Sequence, residues 1–361
     1  MKLQPLSAQS RFLPAVYGVI HALVDAACVT AVVRASHGST VGDLGAFWTV
    51  AGYDWLAFGL QFPLGLLVDR LRLARLSMIV GAAIAALVLA PGPIPSLATM
   101  IAAGVGNALF HLGAGGLVLR SSGGRAAPAG VFVAPGALGL GLGLWMGRTG
   151  RGATFPIYVA LAFAVIALIT LDKPAAEGQS TPSQSGAAPT WPAVFPWFVL
   201  LLLLLASVAV RSFVGFGACF QCPGGLAVVI GLPAAGFLGK LVGGMVADRL
   251  GWLRASIGAL LLSLPLIAFS GGALVLALPG VLLFQSTMAV TLVAVYALMP
   301  RWPATAFGLP CLALIAGAFP TFVPEGKQLF GRWTFALLIA LSAAVLAVAL
   351  RRLSRRGLAR N

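Results

Sequence analysis

Charge is what this sequence has least of. Only 9% of its residues are Asp, Glu, Lys or Arg, against about 25% in a soluble domain. Folded in water, such a chain would present a mostly apolar surface; a lipid bilayer is the solvent that stabilises one. Acids are the scarcest of all, 8 Asp and Glu against 23 Lys and Arg, and so thin a carboxylate content argues against a divalent-metal site and against a cofactor metal. No GxxxxGK[ST] loop is present, which argues against ATP-driven transport by this chain alone, and neither HExxH nor a hydrolase elbow occurs. Cys28, Cys219, Cys222 and Cys311 are the only cysteines. Three of them lie in apolar runs, where Cys packs as a small residue. Cys219 and Cys222 form a single CFQC with no partner ligands, a weak redox or metal signal.

What the chain has instead is long apolar runs, 60% hydrophobic residues overall. A transmembrane barrel would alternate apolar and polar residues in segments of about 10; these runs are unbroken and read as helices. A spanning helix needs about 20 mainly apolar residues. Windows of that kind fall near 12–33, 46–67, 76–93, 97–118, 128–147, 154–171, 194–219, 225–246, 254–271, 274–298, 305–323 and 332–350. Lys2 and Arg11 precede the first window as in a signal peptide, but no small-residue cleavage site interrupts it, so it is expected to be a retained helix. The segment 172–193, DKPAAEGQSTPSQSGAAPTWPA, has the composition of a flexible linker. It divides the chain into an expected N-terminal six-helix bundle, 1–171, and a C-terminal one, 194–361, ending in a basic tail.

The net charge of +15 resembles a nucleic-acid signal, but its placement does not. Lys and Arg concentrate in short loops and in the tail residues Arg351, Arg352, Arg355, Arg356 and Arg360. With a cytoplasmic N-terminus, the inside loops and tail outnumber the outside set (Arg34, Arg148, Arg151, Lys327, Arg332) about threefold, the positive-inside asymmetry. Both termini are therefore expected in the cytoplasm, with no nucleic-acid partner.

The two halves share a loop. GLLVDRLRLAR carries Gly65, Asp69, Arg70, Arg72 and Arg75; GMVADRLGWLR carries Gly244, Asp248, Arg249, Gly251 and Arg254. Each follows the second window of its half. A small residue lets two helices approach, and an acid one turn later can accept hydrogen bonds from a neighbouring helix N-terminus. Such a latch would hold one conformation and break in another; the plainer reading is topology anchoring. Repetition at half-chain spacing marks an internal repeat. The pair resembles the G-x-x-x-D-R-x-G-x-x-R signature of the major facilitator superfamily, with one departure: Arg72 stands where that family has Gly. The resemblance implies an all-α integral membrane fold of twelve transmembrane helices in two pseudo-symmetric bundles, alternating access, and a cavity lined by helices one, four, seven and ten.

A charge at the bilayer centre costs about 2.5–3.5 kcal/mol on insertion scales, so each one is a functional candidate. His21 and Asp25 are four apart on one helical face, a pairing suited to proton coupling. His111 falls in the fourth window and Arg211 in the seventh. Arg211 suits an anionic substrate, since guanidinium matches carboxylate or phosphonate, or else it pairs with Asp25 or Asp54. Tyr53 and Asp54 are further substrate-side candidates, Asp54 alternatively a second proton site or a helix cap. Lys240 lies two turns before Asp248 and is assigned with Gly65, Asp69, Arg70, Gly244, Asp248 and Arg249 to gating. The segments HALVD and NALFH are similar to fosmidomycin-resistance-type efflux proteins, which implies a proton-driven exporter. The glycines around Pro135 are loosely similar to a glycine–proline motif of antiporters in the same superfamily.

The expectation is a monomeric, proton-coupled secondary transporter in a bacterial-type inner membrane, exporting a small molecule, an anion if Arg211 is its contact. It is not an enzyme and needs no cofactor; protons, the substrate and the bilayer are its partners. An uptake symporter or uniporter for a metabolite or metal ion, or a non-transporting sensor or assembly partner on the same scaffold, are the alternatives.

Overall fold

The computed structural model describes residues 8–37, 42–90, 96–152, 154–170, 196–222 and 224–359. The linker at 172–193 falls outside them. All regular structure among the described residues is helical. Before the linker come α1 (Ala8–His37), α2 (Gly42–Asp54), a π-helical turn (Trp55–Gly59), α3 (Gln61–Leu71), α4 (Ala74–Leu89), α5 (Ser96–Ser121), α6 (Ala126–Thr149) and α7 (Thr154–Thr170). After it come α8 (Trp197–Gln221), α9 (Leu226–Leu250), α10 (Trp252–Ala268), α11 (Leu274–Gln285), α12 (Met288–Leu298), α13 (Pro303–Ala318), a 3-10 turn (Phe319–Phe322), α14 (Pro324–Lys327) and α15 (Arg332–Arg355).

Helix occupies each apolar window, because in lipid a chain must satisfy its own backbone. Eight helical stretches among the described residues, one of them α11 and α12 taken together, are long and apolar enough to cross a membrane by length and composition. The outward surface is apolar: Phe12, Phe163, Leu262, Val275, Trp333 and Leu337 are all exposed.

Three windows expected as single helices are interrupted. The second is split by the π-helical turn, whose last residue, Gly59, lies four before Pro63. The proline ring would clash with that carbonyl in a regular helix, and the wider turn relieves the clash. The tenth breaks at Ser286 and Thr287, whose hydroxyls donate to the carbonyls of Leu283 and Phe284 and so compete with the helix ladder. The eleventh closes into the 3-10 turn around Pro320.

The helices before and after the linker pack through small residues, as close helix contacts in membranes require. On α3, a Cβ on Gly65 would come within 3.0 Å of the Thr305 backbone on α13. On α9, a Cβ on Gly244 would lie 2.7 Å from the Ala126 carbonyl at the start of α6. Helix α6 is glycine-rich on two faces. Gly139 and Gly143 meet the Ala22 and Ala26 carbonyls of α1, while Gly130 and Gly141 meet Lys240 and Pro233 of α9. A side chain at any of these would push the neighbouring backbone away.

Candidate functional site

Three of the ionisable groups singled out in the sequence meet between α1 and α5. His21, Asp25 and His111 are 4%, 5% and 6% exposed. The i, i+4 spacing sets Asp25 Oδ2 3.1 Å from His21 Nε2, and Asp25 Oδ1 lies 3.8 Å from His111 Nε2. The two imidazoles face each other edge-on, Nε2 to Nε2 at 2.7 Å.

Their protonation follows from their other contacts. His21 Nδ1 is 3.0 Å from the Phe132 carbonyl oxygen, and His111 Nδ1 is 2.9 Å from that of Asn107. A carbonyl oxygen only accepts, so each Nδ1 carries its hydrogen and donates. In two neutral rings both Nε2 atoms would then be lone pairs, which repel at 2.7 Å. The contact is attractive only with a cation between them, and one proton is enough. The cluster is then one imidazolium, one imidazole and one carboxylate, with the Asp25 charge offsetting the proton. Asn107 Nδ2 donates to Asp25 Oδ1 at 2.8 Å and fixes the carboxylate. Phe110, Phe132 and Phe307 wall the rings, excluding water and strengthening each electrostatic contact.

A second polar cluster forms between α8 and α12. Arg211, 7% exposed, donates Nε–H to the Ser207 carbonyl at 3.1 Å and an Nη2–H to Thr291 Oγ1 at 2.8 Å. Its Nη1 donates to Thr287 Oγ1. Both threonines in turn donate to backbone carbonyls of their own turn, which aims their lone pairs at the guanidinium. Neither Asp25 nor Asp54 is its partner: among the described residues no carboxylate lies within 4.0 Å of Arg211. Three of the five guanidinium N–H donors are placed by these contacts and two are left over.

The remaining candidates are dispersed. Tyr53 is buried and Asp54 half-buried beside the π-helical turn, and the Asp54 side chain caps no helix. Lys240 is half-buried on α9, its carbonyl against Gly130 of α6. It makes no hydrogen bond or ion pair with a described residue; its charge interacts with Asp25 and His111 and not with Asp248. Cys28 and Cys311 are buried free thiols; Cys219 and Cys222, at the end of α8, are also free. A cleft of about 110 Å³ lies between α9, α10 and α11, lined by Gly239, Gly243, Ser256 and Ser286 among others. It touches neither polar cluster and is almost wholly apolar.

The repeated loops meet opposite partners. Asp69, at the end of α3, accepts from the backbone N–H of Ala304 and Thr305 at 3.0 and 2.8 Å and from the Thr305 hydroxyl at 2.8 Å. Asp248, at the end of α9, accepts from the backbone N–H of Ala126 and Ala127 at 2.9 and 2.8 Å. Each acid thus caps the N-terminus of a helix from the other side of the linker, α13 or α6, where the helix dipole favours negative charge. Gly65 and Gly244, one turn earlier, give the close approach this needs. Arg70 and Arg249 are exposed beside the acids. At Arg72 the chain takes the left-handed conformation, φ 57° and ψ 40°, so the tight turn forms without the glycine.

Several functional residues escape sequence reasoning. Asn107 stands four before His111 in the NALFH segment, the same spacing that pairs His21 with Asp25, and that spacing is the signal. Thr287 and Thr291 break an apolar run at i, i+4, a weaker signal. Gly136 cannot be found without the fold: a Cβ there would lie 2.3 Å from His21 Nε2 and 2.8 Å from Asp25 Oδ2.

No family model matches this sequence, and no curated protein sequence does. Its likeness is to solved structures. A single-site variant of the E. coli fucose:proton symporter FucP aligns over 95% of this chain and 98% of its own, with TM-score 0.62 and 13% identity. FucP in the outward conformation aligns over 93% and 99%, with TM-score 0.56 and 13% identity. An inward-facing, unoccupied bacterial homologue of the human lysosomal transporter Spinster aligns over 96% and 98%, with TM-score 0.51 and 14% identity. At these identities the likeness is one of fold, and the fold is that of major facilitator superfamily transporters.

Proposed function

We propose that this chain is a proton-coupled secondary transporter of a small anionic molecule, working by alternating access between two six-helix bundles and most readily as an exporter. On this reading the twelve apolar windows are twelve spans, with the interrupted second and tenth windows each crossing once. The linker at 172–193, both termini and the two latches lie on the cytoplasmic side of a plasma membrane, and one chain suffices.

The observation that carries the reading is the His21–His111 contact. Two imidazoles held Nε2 to Nε2 at 2.7 Å, each with its Nδ1–H already committed, require a proton between them, and Asp25 stabilises it. Removing that proton leaves facing lone pairs and an unbalanced carboxylate, so loss of the proton drives a rearrangement of α1 against α5. Protonation and conformation are thereby tied together. On the other side of the cavity Arg211 keeps its charge across the physiological pH range and has two N–H donors to offer an anion; Lys240 belongs with the gating residues, and Tyr53 and Asp54 border the route. The two latches, formed together, hold the cytoplasmic end closed in this conformation, with Gly65, Arg70, Gly244 and Arg249 supporting Asp69 and Asp248.

A ligand screen by melting temperature at two pH values identifies the substrate. Proteoliposomes loaded with a pH-sensitive dye then test the mechanism. Substrate addition is expected to move protons in the wild type and not in Asp25→Asn. Proton movement at the wild-type stoichiometry in Asp25→Asn would remove the assignment.

A further inference from the structure

We infer that the His21–Asp25–His111 cluster is also a binding site for a divalent first-row transition-metal ion of the Fe²⁺-to-Zn²⁺ class. The inference uses the cluster of the preceding section but does not depend on proton coupling.

Three observations carry it. First, one ligand atom from each residue, two imidazole nitrogens and a carboxylate oxygen, lies within 4.8 Å of the others, all buried. Second, the atoms around them hold these three in ligating form. Each histidine donates Nδ1–H to a backbone carbonyl, Phe132 or Asn107, which turns Nε2 into the cluster, where an ion would take the place of the shared proton. Asn107 Nδ2 holds the Asp25 carboxylate. Ligating histidines show this outer-shell pattern almost without exception. Asn107 Oδ1 is buried and makes no hydrogen bond, an oxygen donor not otherwise spent. Third, α6 crosses the cluster at a residue with no side chain: a methyl on Gly136 would lie 2.3 Å from His21 Nε2 and 2.8 Å from Asp25 Oδ2 and would take the space of an ion.

The donor set selects the ion. Two imidazoles and one carboxylate suit Fe²⁺, Co²⁺, Ni²⁺ or Zn²⁺, whereas Mg²⁺ and Ca²⁺ take oxygen ligands. Counting carboxylates argues against a metal here; counting imidazoles reverses the balance. The fit requires a modest adjustment. Two nitrogens on one ion, each about 2.0–2.1 Å from it, stand roughly 3.0–3.4 Å apart, and the rings are at 2.7 Å. They must part by a few tenths of an ångström, which small χ rotations provide. Asp25 Oδ2, 3.1 Å from His21 Nε2, already has the required separation, while Oδ1, 3.8 Å from His111 Nε2, must close by a few tenths of an ångström. With three protein ligands, further positions remain open.

The test uses the purified full chain in detergent, stripped of metal by chelation, with Co²⁺ as the probe and Mg²⁺ as the control. One Co²⁺ per chain is expected by calorimetry, with a rise in melting temperature that Mg²⁺ does not give. X-ray absorption at the cobalt edge should show imidazole scattering. His111→Gln and Asp25→Asn should each weaken binding more than tenfold, and Asn107→Ala about tenfold through the outer shell. Failure of folded wild-type protein to bind at millimolar Co²⁺, or a bound Co²⁺ without imidazole scattering, overturns the inference whatever the variants do. The absorption experiment needs no variant to fold. A chain that binds Co²⁺ but moves no protons in metal-free liposomes keeps this site and loses the transport reading; one that couples protons and ignores Co²⁺ does the reverse.

Discussion

The helices before and after the linker place polar clusters at matching points and fill them with opposite chemistry. The first and fourth windows before the linker, α1 and α5, meet through His21, Asp25, Asn107 and His111. The first and fourth after it, α8 and α12, meet through Arg211, Thr287 and Thr291. One cluster pairs two imidazoles with a carboxylate; the other holds a guanidinium among hydroxyls. A repeat that began symmetric would place two identical sites across a cavity and gain no coupling between them. On the proposed reading, dividing the labour gives one side that senses protons and one side that holds a fixed attraction for an anion. The same contrast runs through the smaller features: Asp69 and Asp248 make crossed latches with different donors, and Arg72 turns where Gly251 does in the other half.

Asp25→Asn cuts deepest into this contrast. It leaves the His21–His111 proton without its counter-charge, and breaking a buried pair from one side costs about 3–5 kcal/mol. Proton-coupled flux should vanish in dye-loaded liposomes while substrate still binds to the Arg211 side; loss of both together would merge the two clusters into one. Arg211→Lys keeps a cation but loses the planar fork that Ser207 and the two threonines orient. Anion affinity is expected to fall at least tenfold by calorimetry, with the proton stoichiometry of residual transport unchanged. Asp69→Asn and Asp248→Asn each weaken charge-assisted hydrogen bonds worth about 1.5–3 kcal/mol. Thiol labelling from the latch end should show each variant more open, by roughly ten- to a hundredfold in population, and the double variant more open than either. Equal labelling of all four proteins would reduce the latches to topology anchors. The smallest effect belongs to Arg72→Gly. A non-glycine residue in the left-handed region costs about 1–2 kcal/mol, so this change should raise the melting temperature slightly, while Gly251→Ala should lower it.

Hydrophobic runs made the helical fold legible, because a chain in lipid declares its spans by composition alone. The interruptions were less so: Pro63 and the Ser286–Thr287 pair are visible, but whether each breaks a helix or merely bends it depends on what the neighbours accept. His21 with Asp25 could be read from i, i+4 spacing. Their joining to His111 could not, since that contact spans 90 residues and exists only once α1 and α5 pack. Arg211 was readable as a buried cation, but its hydroxyl partners lie 76 and 80 residues away. Spacing alone pairs Lys240 with Asp248 on one helix, yet the charge of Lys240 interacts with Asp25 and His111 while Asp248 holds the start of α6.

Helix α6 carries a consequence of its own. Its first two residues hold Asp248, and Gly136 on the same helix covers His21 and Asp25, nine residues or roughly 14 Å further along. On the proposed reading the helix acts as a lever with Pro135 between its two contacts: movement of its end away from Asp248 is carried toward its middle against α1. On that reading, letting go at the latch shifts the lid on the cluster, and a proton leaving the cluster changes the load on the latch. Access to the cluster and freedom of the latch become two readings of one displacement.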